Sequence, residues 1–391
     1  MHRLHSLHPL PLRVRQAKVQ PMSVRIATFN IENLMSRFDF SGFRNELQQD
    51  RALALFEIEG EAEYRALESA RTVALTDDTR QLTALAIAAT RADILCLQEV
   101  DNLAALKAFE YGYLFKMIGS GYRDKYTSSG NDTRGIDVAV MMRRETAHGE
   151  PIEFEDMTSH AHLAYEDFGL FTPELEALGL NPHDRVFRRD CLEVDLRVAG
   201  KPLTLYIVHF KAMSPPRNGM DGRTASMPIR IAEAAAVRRI IERRFGPAKA
   251  ADKRWMICGD LNDYRERVVV GGDAHAGFTF EPVRETGSSI DVLTQGGFCE
   301  NVVERRPEMD RWTLYHTRGP QERHLCQLDY LFLSPALARS NARAVPDIVR
   351  AGQPWRTVFP PGQEVERFPR TGWDRPKASD HCPVAVTIDL V

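Results

Sequence analysis

Nearly every strongly apolar, strand-like run in this chain stops on a side chain able to bind a cation or move a proton. ATFNIEN ends on Asn30 and Glu32, DILCLQE on Glu99, LYIVH on His209, and WMICGDLN on Asp260 and Asn262. QLD reaches Asp329 and SDH supplies Asp380 and His381. Short apolar runs of this kind fold as buried strands, so the chemistry is left to their ends. Oxygen-rich donor sets suit Mg²⁺ or Mn²⁺, which keep several waters and lean on one or two carboxylates plus substrate phosphate. The pattern points to metal-assisted phosphoester cleavage.

A chain of 391 residues would divide into two or three domains at about 150 residues each. Asn30 and His381 lie near opposite ends, however, and a site drawing on both is most simply one domain over residues 22–391. Hydrophobic residues make up 43% and charged residues 27%, the composition of an ordinary soluble protein with ample core. A net charge of −3 gives no global pull toward nucleic acid or anionic lipid, which weakens a polyanionic substrate without excluding it. The six cysteines show no CxxC spacing and several sit in apolar runs, so reduced core thiols and a cytoplasmic setting are expected. No run approaches the roughly 18 apolar residues of a membrane span, and no protein partner is readable. Residues 1–21 carry Arg3, Arg13, Arg15 and Lys18 without an acid or an apolar signal core, and Met22 directly precedes SVRIATFN. They are expected to be a disordered tail or a mis-called extension.

Alternation and β-rich composition predict strands at Val24–Ile31, Asp93–Leu97, Asp137–Met142, Cys191–Val198, Leu203–Phe210, Trp255–Cys258, Leu328–Leu333 and Pro383–Leu390. Thr76, Asp77 and Asp78 are N-cap candidates for a helix burying Leu82, Leu85, Ala86 and Ala89. A second helix would turn Ile229, Ala232, Ala236 and Ile240 inward. So many strands against two long helices suggest layered sheets with helices outside. Residues 37–75 look like inserted helices. Residues 145–184 hold ten Asp/Glu and no Lys or Arg, and are expected to be a loop or lid insertion with a solvated periphery. Arg217–Arg254 holds ten basic and four acidic residues; a solvated helix face accounts for them more simply than a nucleic-acid footprint.

Phosphodiester hydrolysis must bring two anions together and expel a poor alkoxide, and a bound cation helps with both. Glu99 is the strongest single ligand candidate, although an isolated Glu after a strand can simply cap a loop. GDLND puts Asp260 where it can take a proton from water and Asn262 where it can donate to a phosphoryl oxygen, against the plain alternative of a self-stabilising Asx turn. Asp329 is available to orient the His381 imidazole and raise its pKa, and His209 adds a second imidazole; one of the two would serve as general acid.

TFNIENL, LQEV, RGIDVAV, VHFKA, GDLND, QLDYLFLS and ASDHCPV, in that order, resemble the endonuclease/exonuclease/phosphatase family, the group that includes deoxyribonuclease I. The resemblance covers roughly Met22 to Val391. It implies an α/β fold, a four-layer α/β/β/α sandwich of two packed mixed β-sheets with the site at one rim. It also implies Glu99 as the principal Mg²⁺ ligand, Asn30 and Glu32 at the metal or phosphate edge, and Asp380 near the metal. Asp260 and Asn262 would position water and the pentacovalent phosphate, His381 paired with Asp329 would bind the scissile phosphate, and His209 matches an imidazole used as acid in the deoxyribonuclease I and sphingomyelinase branches. Arg134 and Lys211 would meet phosphate, and Asp137 would either ligate or brace a loop. The expected function is a metal-dependent nuclease. The rivals are a phosphatase or phospholipase-type phosphodiesterase on the same scaffold and, more remotely, an inactive binding module.

Overall fold

The computed structural model describes residues 22–34, 60, 61, 63, 76–213, 221–317 and 322–390. The expectation for residues 1–21, and nearly all of that for 37–75, lie outside these.

In chain order the strands are β1 (Ser23–Leu34), β2 (Ile94–Val100), β3 (Asp124–Thr127), β4 (Asp137–Met142), β5 (Ile152–Ser159), β6 (Cys191–Val198), β7 (Lys201–His209) and β8 (Trp255–Asp260). There follow β9 (Glu266–Asp273), β10 (Gly277–Arg284), β11 (Glu300–Asn301), β12 (Leu314–His316), β13 (Arg323–Cys326), β14 (Asp329–Leu333), β15 (Asp347–Ile348) and β16 (Val384–Asp389). The long helices are α1 (Thr76–Thr90) and α2 (Gly222–Phe245). One sheet runs β15-β16-β1-β2-β4-β3 and the other β11-β14-β8-β7-β6-β5, with a smaller β10-β9-β13-β12 sheet beside them. Each large sheet is mixed and has one parallel pair at its heart, β1 with β2 and β7 with β8.

Alternation along each strand builds the layers. Val24, Ile26, Ile94 and Cys96 of the first sheet pack between the sheets against Leu205, Ile207, Met256, Cys258 and Leu331 of the second. The opposite parity, Phe29, Leu95 and Leu97, meets Leu82, Ala86 and Ile87 of α1. On the far side, Tyr206, Val208 and Ile257 meet Ile229, Ala232, Ala236 and Ile240 of α2. The α/β/β/α order and the four inward residues of α2 are as expected. In α1, Ala89 is exposed, and the buried face is completed by Thr83, Ile87 and Thr90.

The acidic stretch 145–184 is more structured than a loop. It supplies β5, an edge strand paired with β6, whose outward Glu153, Glu155 and Asp156 keep that edge solvated. Its Tyr165, Phe168 and Leu175 are buried in the cluster under α2. The basic run on α2 is largely used within the fold: Arg238 pairs with Glu242 at 3.0 Å and Arg244 with Asp195 at 2.7 Å. Buried Arg230 donates to Ser226 Oγ at 2.7 Å. All six cysteines are free and buried.

Candidate active site

The parity that fills the space between the sheets also aims the polar residues at the strand ends. Asn30 follows Val24, Ile26 and Thr28 on the inner face of β1; His209 follows Leu205 and Ile207 on β7; Asp260 follows Met256 and Cys258 on β8. Asp329 opens β14 on the same face and pairs in register with Asp260, which itself pairs with His209. Parallel strands thus deliver their carboxyl ends to one rim. Glu99 has the wrong parity, but a register shift between Gln98 and Val100 and a positive φ of 67° turn it to the same rim. Asn262 is likewise left-handed, at 50°. Such backbone costs roughly 1 kcal/mol or more per non-glycine residue and is held only where surroundings impose it.

Asp260 is the hub. Its Oδ2 accepts from Asn30 Nδ2 at 3.0 Å and Asn262 Nδ2 at 3.1 Å, and its Oδ1 accepts the Asn262 backbone N–H at 2.8 Å. His209 Nε2 stands 3.5 Å and His381 Nε2 3.8 Å from Oδ2. Asn30 Nδ2 also reaches Glu99 Oε1 at 3.3 Å, and the Asn33 N–H donates to Glu99 Oε2 at 2.9 Å. His381 Nδ1 lies 2.8 Å from Asp329 Oδ2, which accepts from Thr313 Oγ1 at 2.6 Å. Asp380 Oδ1 is 4.0 Å from His381 Nε2.

Burial pushes the Asp260 carboxyl up to about 7, the charge of Asp329 adding to it and His381 opposing it. Burial also raises Glu99, reinforced by nearby Asp380. Burial alone would lower His381, but the carboxylates of Asp329 and Asp260 outweigh it and hold the imidazole protonated. His209 goes the other way: burial, with the positive charges of Arg189 and His381, drives it well below the usual range and keeps it neutral.

The structure thus gathers Asn30, Glu99, His209, Asp260, Asn262, Asp329, Asp380 and His381. Four other expected residues sit differently. Glu32 is a brace: its carboxylate takes Arg375 at 2.7 Å, Lys377 at 3.1 Å and the Asp380 N–H at 3.0 Å. Asp137 braces a loop through the Gly130 N–H at 2.8 Å, and burial with neighbouring Asp190 raises its pKa to about 6. Arg134 pairs with Asp132 at 3.0 Å while its charge still reaches Glu99. Lys211 Nζ donates to Ala212 O at 2.9 Å. Asn262 spends its amide hydrogens on Asp260 and on Phe210 O at 3.1 Å, so it orients the hub. Asp263, the last residue of GDLND, is structural, held by Arg223 Nε at 2.8 Å and the Ser289 N–H at 2.7 Å.

Three supports were not read from the sequence, although Ser379 stands inside the SDH motif. Thr313 fixes Asp329, Ser379 Oγ donates to Asn30 O at 2.7 Å, and buried Arg189 joins Asp132 at 2.8 Å to Phe210 O at 3.0 Å. Each is a common residue in a segment remote from its partner.

Among the described residues no group of three or more His, Cys, Asp or Glu side chains is set to enclose a metal ion. A Mg²⁺-type ion does not need one, since one or two carboxylates with waters and phosphate suffice. Glu99 and Asp380 form such a pair, close enough that the charge of one raises the pKa of the other. The donors are all oxygen, so the residues fit a hard dication. Asn30 turns its amide nitrogen toward Glu99 and so positions that carboxylate.

No curated protein matches the chain in sequence. Among solved structures it is similar to TDP2 from C. elegans, with 14% identity, TM-score 0.47, and coverage of 94% of this chain and 75% of that one. It is also similar to the human Nocturnin catalytic domain (13%, 0.48, 95% and 95%) and to the AP endonuclease LMAP from Leishmania major (12%, 0.47, 98% and 93%). The profile of the Endonuclease/Exonuclease/phosphatase family matches residues 27–381. With that match covering most of the chain and every residue gathered at the rim, the chain belongs to the Endonuclease/Exonuclease/phosphatase family, whose hydrolases act on phosphoester bonds.

Proposed function

We propose that this protein is a Mg²⁺- or Mn²⁺-dependent phosphodiesterase, a nuclease that hydrolyses the nucleic-acid backbone by in-line attack of water. The observation that carries the reading is the buried Asp260 carboxylate, met by Asn30 and Asn262 and flanked by one neutral and one protonated imidazole. A dication held by Glu99 and Asp380 would neutralise the non-bridging oxygens of the substrate phosphate.

The chain's own groups do the rest. Asp260, its basicity raised toward neutrality, takes the proton of the attacking water. His381, kept cationic by Asp329, pairs with the scissile phosphate and supplies a proton to the leaving oxygen. His209, held neutral, steadies Asp260 rather than acting as the acid. Arg134, half exposed at the rim, receives a flanking phosphate. The buried free thiols support a reducing, cytoplasmic setting, and no helix among the described residues is long and apolar enough to cross a membrane.

The test is hydrolysis of DNA, RNA and bis-p-nitrophenyl phosphate by purified protein with either metal. Cleavage abolished by EDTA is expected; intact substrates throughout would refute the reading. The net charge of −3 favours a rival, a smaller phosphoester or lipid headgroup. Salt separates the two, since affinity for a nucleic acid falls steeply with ionic strength and that for a small ester does not.

A further inference from the structure

The bend Ser379–His381 carries two of the site's side chains, and the peptide planes on either side of Asp380 are gripped at both ends. The Asp380 N–H donates to Glu32 Oε2 and the His381 N–H to Ser379 Oγ, each at 3.0 Å. A trans peptide turns its carbonyl away from its N–H, so the oxygens of Ser379 and Asp380 face the other way. There they meet a side chain that the chemistry does not use. Gln353 Nε2 donates to Ser379 O at 3.2 Å, to Asp380 O at 3.3 Å and to His381 O at 3.3 Å. Two amide hydrogens are shared among three consecutive carbonyls.

Gln353 is 3% exposed and is itself held in place. It lies on the irregular excursion between β15 and β16, where its N–H donates to Arg350 O at 3.0 Å and its carbonyl takes Arg367 Nε at 3.1 Å. One residue earlier, Gly352 O accepts the Ala378 N–H at 3.0 Å. A Cβ at Gly352 would stand 2.4 Å from that of Ala378, so glycine lets the two segments approach this closely. Buried Arg350 ties the excursion to Asp310 O at 2.9 Å and Trp312 O at 3.0 Å. An apolar side chain would fill the same space; the amide adds donors for buried carbonyls.

Fixing both peptide planes fixes the φ and ψ of Asp380, and with them the direction of its side chain. The Asp380 carboxylate is thereby kept near Glu99, and the His381 imidazole against Asp329 at 2.8 Å. Few contacts in the molecule join one side-chain atom to the backbone of two site residues at once.

We propose that Gln353 is a positioning residue for the reaction, its amide setting the bend so that Asp380 reaches the cation and His381 the scissile phosphate. This rests on the phosphodiesterase reading. Gln353 acts through the backbone of those two residues, and a displacement of about 1 Å there would cost on the order of a hundredfold in rate.

The experiment compares wild type with Gln353→Met, which keeps the bulk of the side chain and removes its donors. Turnover of bis-p-nitrophenyl phosphate is followed against substrate and against Mg²⁺, at a temperature where circular dichroism shows each protein folded. Gln353→Met should lower kcat about ten- to hundredfold and raise the Mg²⁺ needed for half-activation, with KM for the ester little changed. Gln353→Asn keeps an amide but draws its nitrogen back by one methylene; it should show the same split, and it carries the test if Gln353→Met does not fold. A glutamine that only supports the fold would give a lowered Tm with the kcat and Mg²⁺ curve of wild type, and that result would overturn the proposal. A loss confined to KM would overturn it too. Wild type that turns over neither the ester nor nucleic acid with Mg²⁺ or Mn²⁺ removes the phosphodiesterase reading and the proposal with it. Active wild type beside unimpaired variants removes the role of Gln353 alone.

Discussion

At His381 a single proton decides between a cation that can pair with phosphate and a neutral ring that cannot. Asp329, 2.8 Å away and fully buried, is what holds that proton. Asn at position 329 keeps the shape and removes the charge. A histidine whose folded pKa is raised carries its proton at every pH below that value, so losing the carboxylate brings deprotonation to lower pH. Asp329→Asn should therefore move the basic limb of the kcat/KM profile toward acid, costing more activity at pH 8 than at pH 6. An unmoved limb in bis-p-nitrophenyl phosphate hydrolysis would show that Asp329 does not set the protonation of His381. The polar residues of the hub were legible because they break apolar alternation at strand ends. The bonds that Thr313 and Ser379 make were not, because a hydroxyl fixing a partner far along the chain leaves no local pattern.

The strand is the element that aims the site, and β8 is the most constrained of them. Gly259 has a φ of 153°, and an added Cβ would stand 1.9 Å from Val208 O of the parallel neighbour. Gly259→Ala should destabilise the fold on the order of 3 kcal/mol and push Asp260 out of place, read as a lowered denaturation midpoint together with lost turnover. The β9-β10-β12-β13 sheet was not expected from sequence, because β12 and β13 are short, β9 runs into Gly271 and Gly272, β10 carries a proline, and β9 pairs with β13 across a long gap. Within it His324 stacks on His316 at 4.7 Å, and burial with the second imidazole pushes its pKa down to about 4. A histidine with a lowered folded pKa leaves the unfolded chain binding the extra proton below about 6.5, so stability falls as pH drops through the interval between the two values. The loss should reach about 2 kcal/mol by pH 5, and His324→Phe should abolish that dependence. Urea unfolding at pH 5 and 7 measures it; equal acid sensitivity in the variant would contradict the assignment.

At the scale of the whole molecule, two mixed sheets lie face to face among the described residues, each presenting one parallel pair to a common rim. The layers and the inward residues of α2 were legible because periods of 2 and 3.6 residues separate strand from helix. The bulge that re-aims Glu99 was hidden, since a bulge shifts register without changing composition. Crowding carboxylates at that rim has a stability cost. Glu99 and Asp260 have raised pKa values, so the native state holds more protons than the unfolded chain between the ordinary and raised values, and metal-free stability should fall as pH rises through that interval. A dication offsets this charge, so Mg²⁺ should raise Tm more at pH 7.5 than at pH 5; an equal rise at both would argue against binding at these carboxylates.

The most direct test is the Mg²⁺ activation curve of Glu99→Gln beside wild type, with bis-p-nitrophenyl phosphate as substrate. The account predicts wild-type activity that disappears in EDTA and returns with Mg²⁺, and a variant that needs at least tenfold more Mg²⁺ for half-activation. Full activity after metal removal, or superimposable curves for the two proteins, would contradict it.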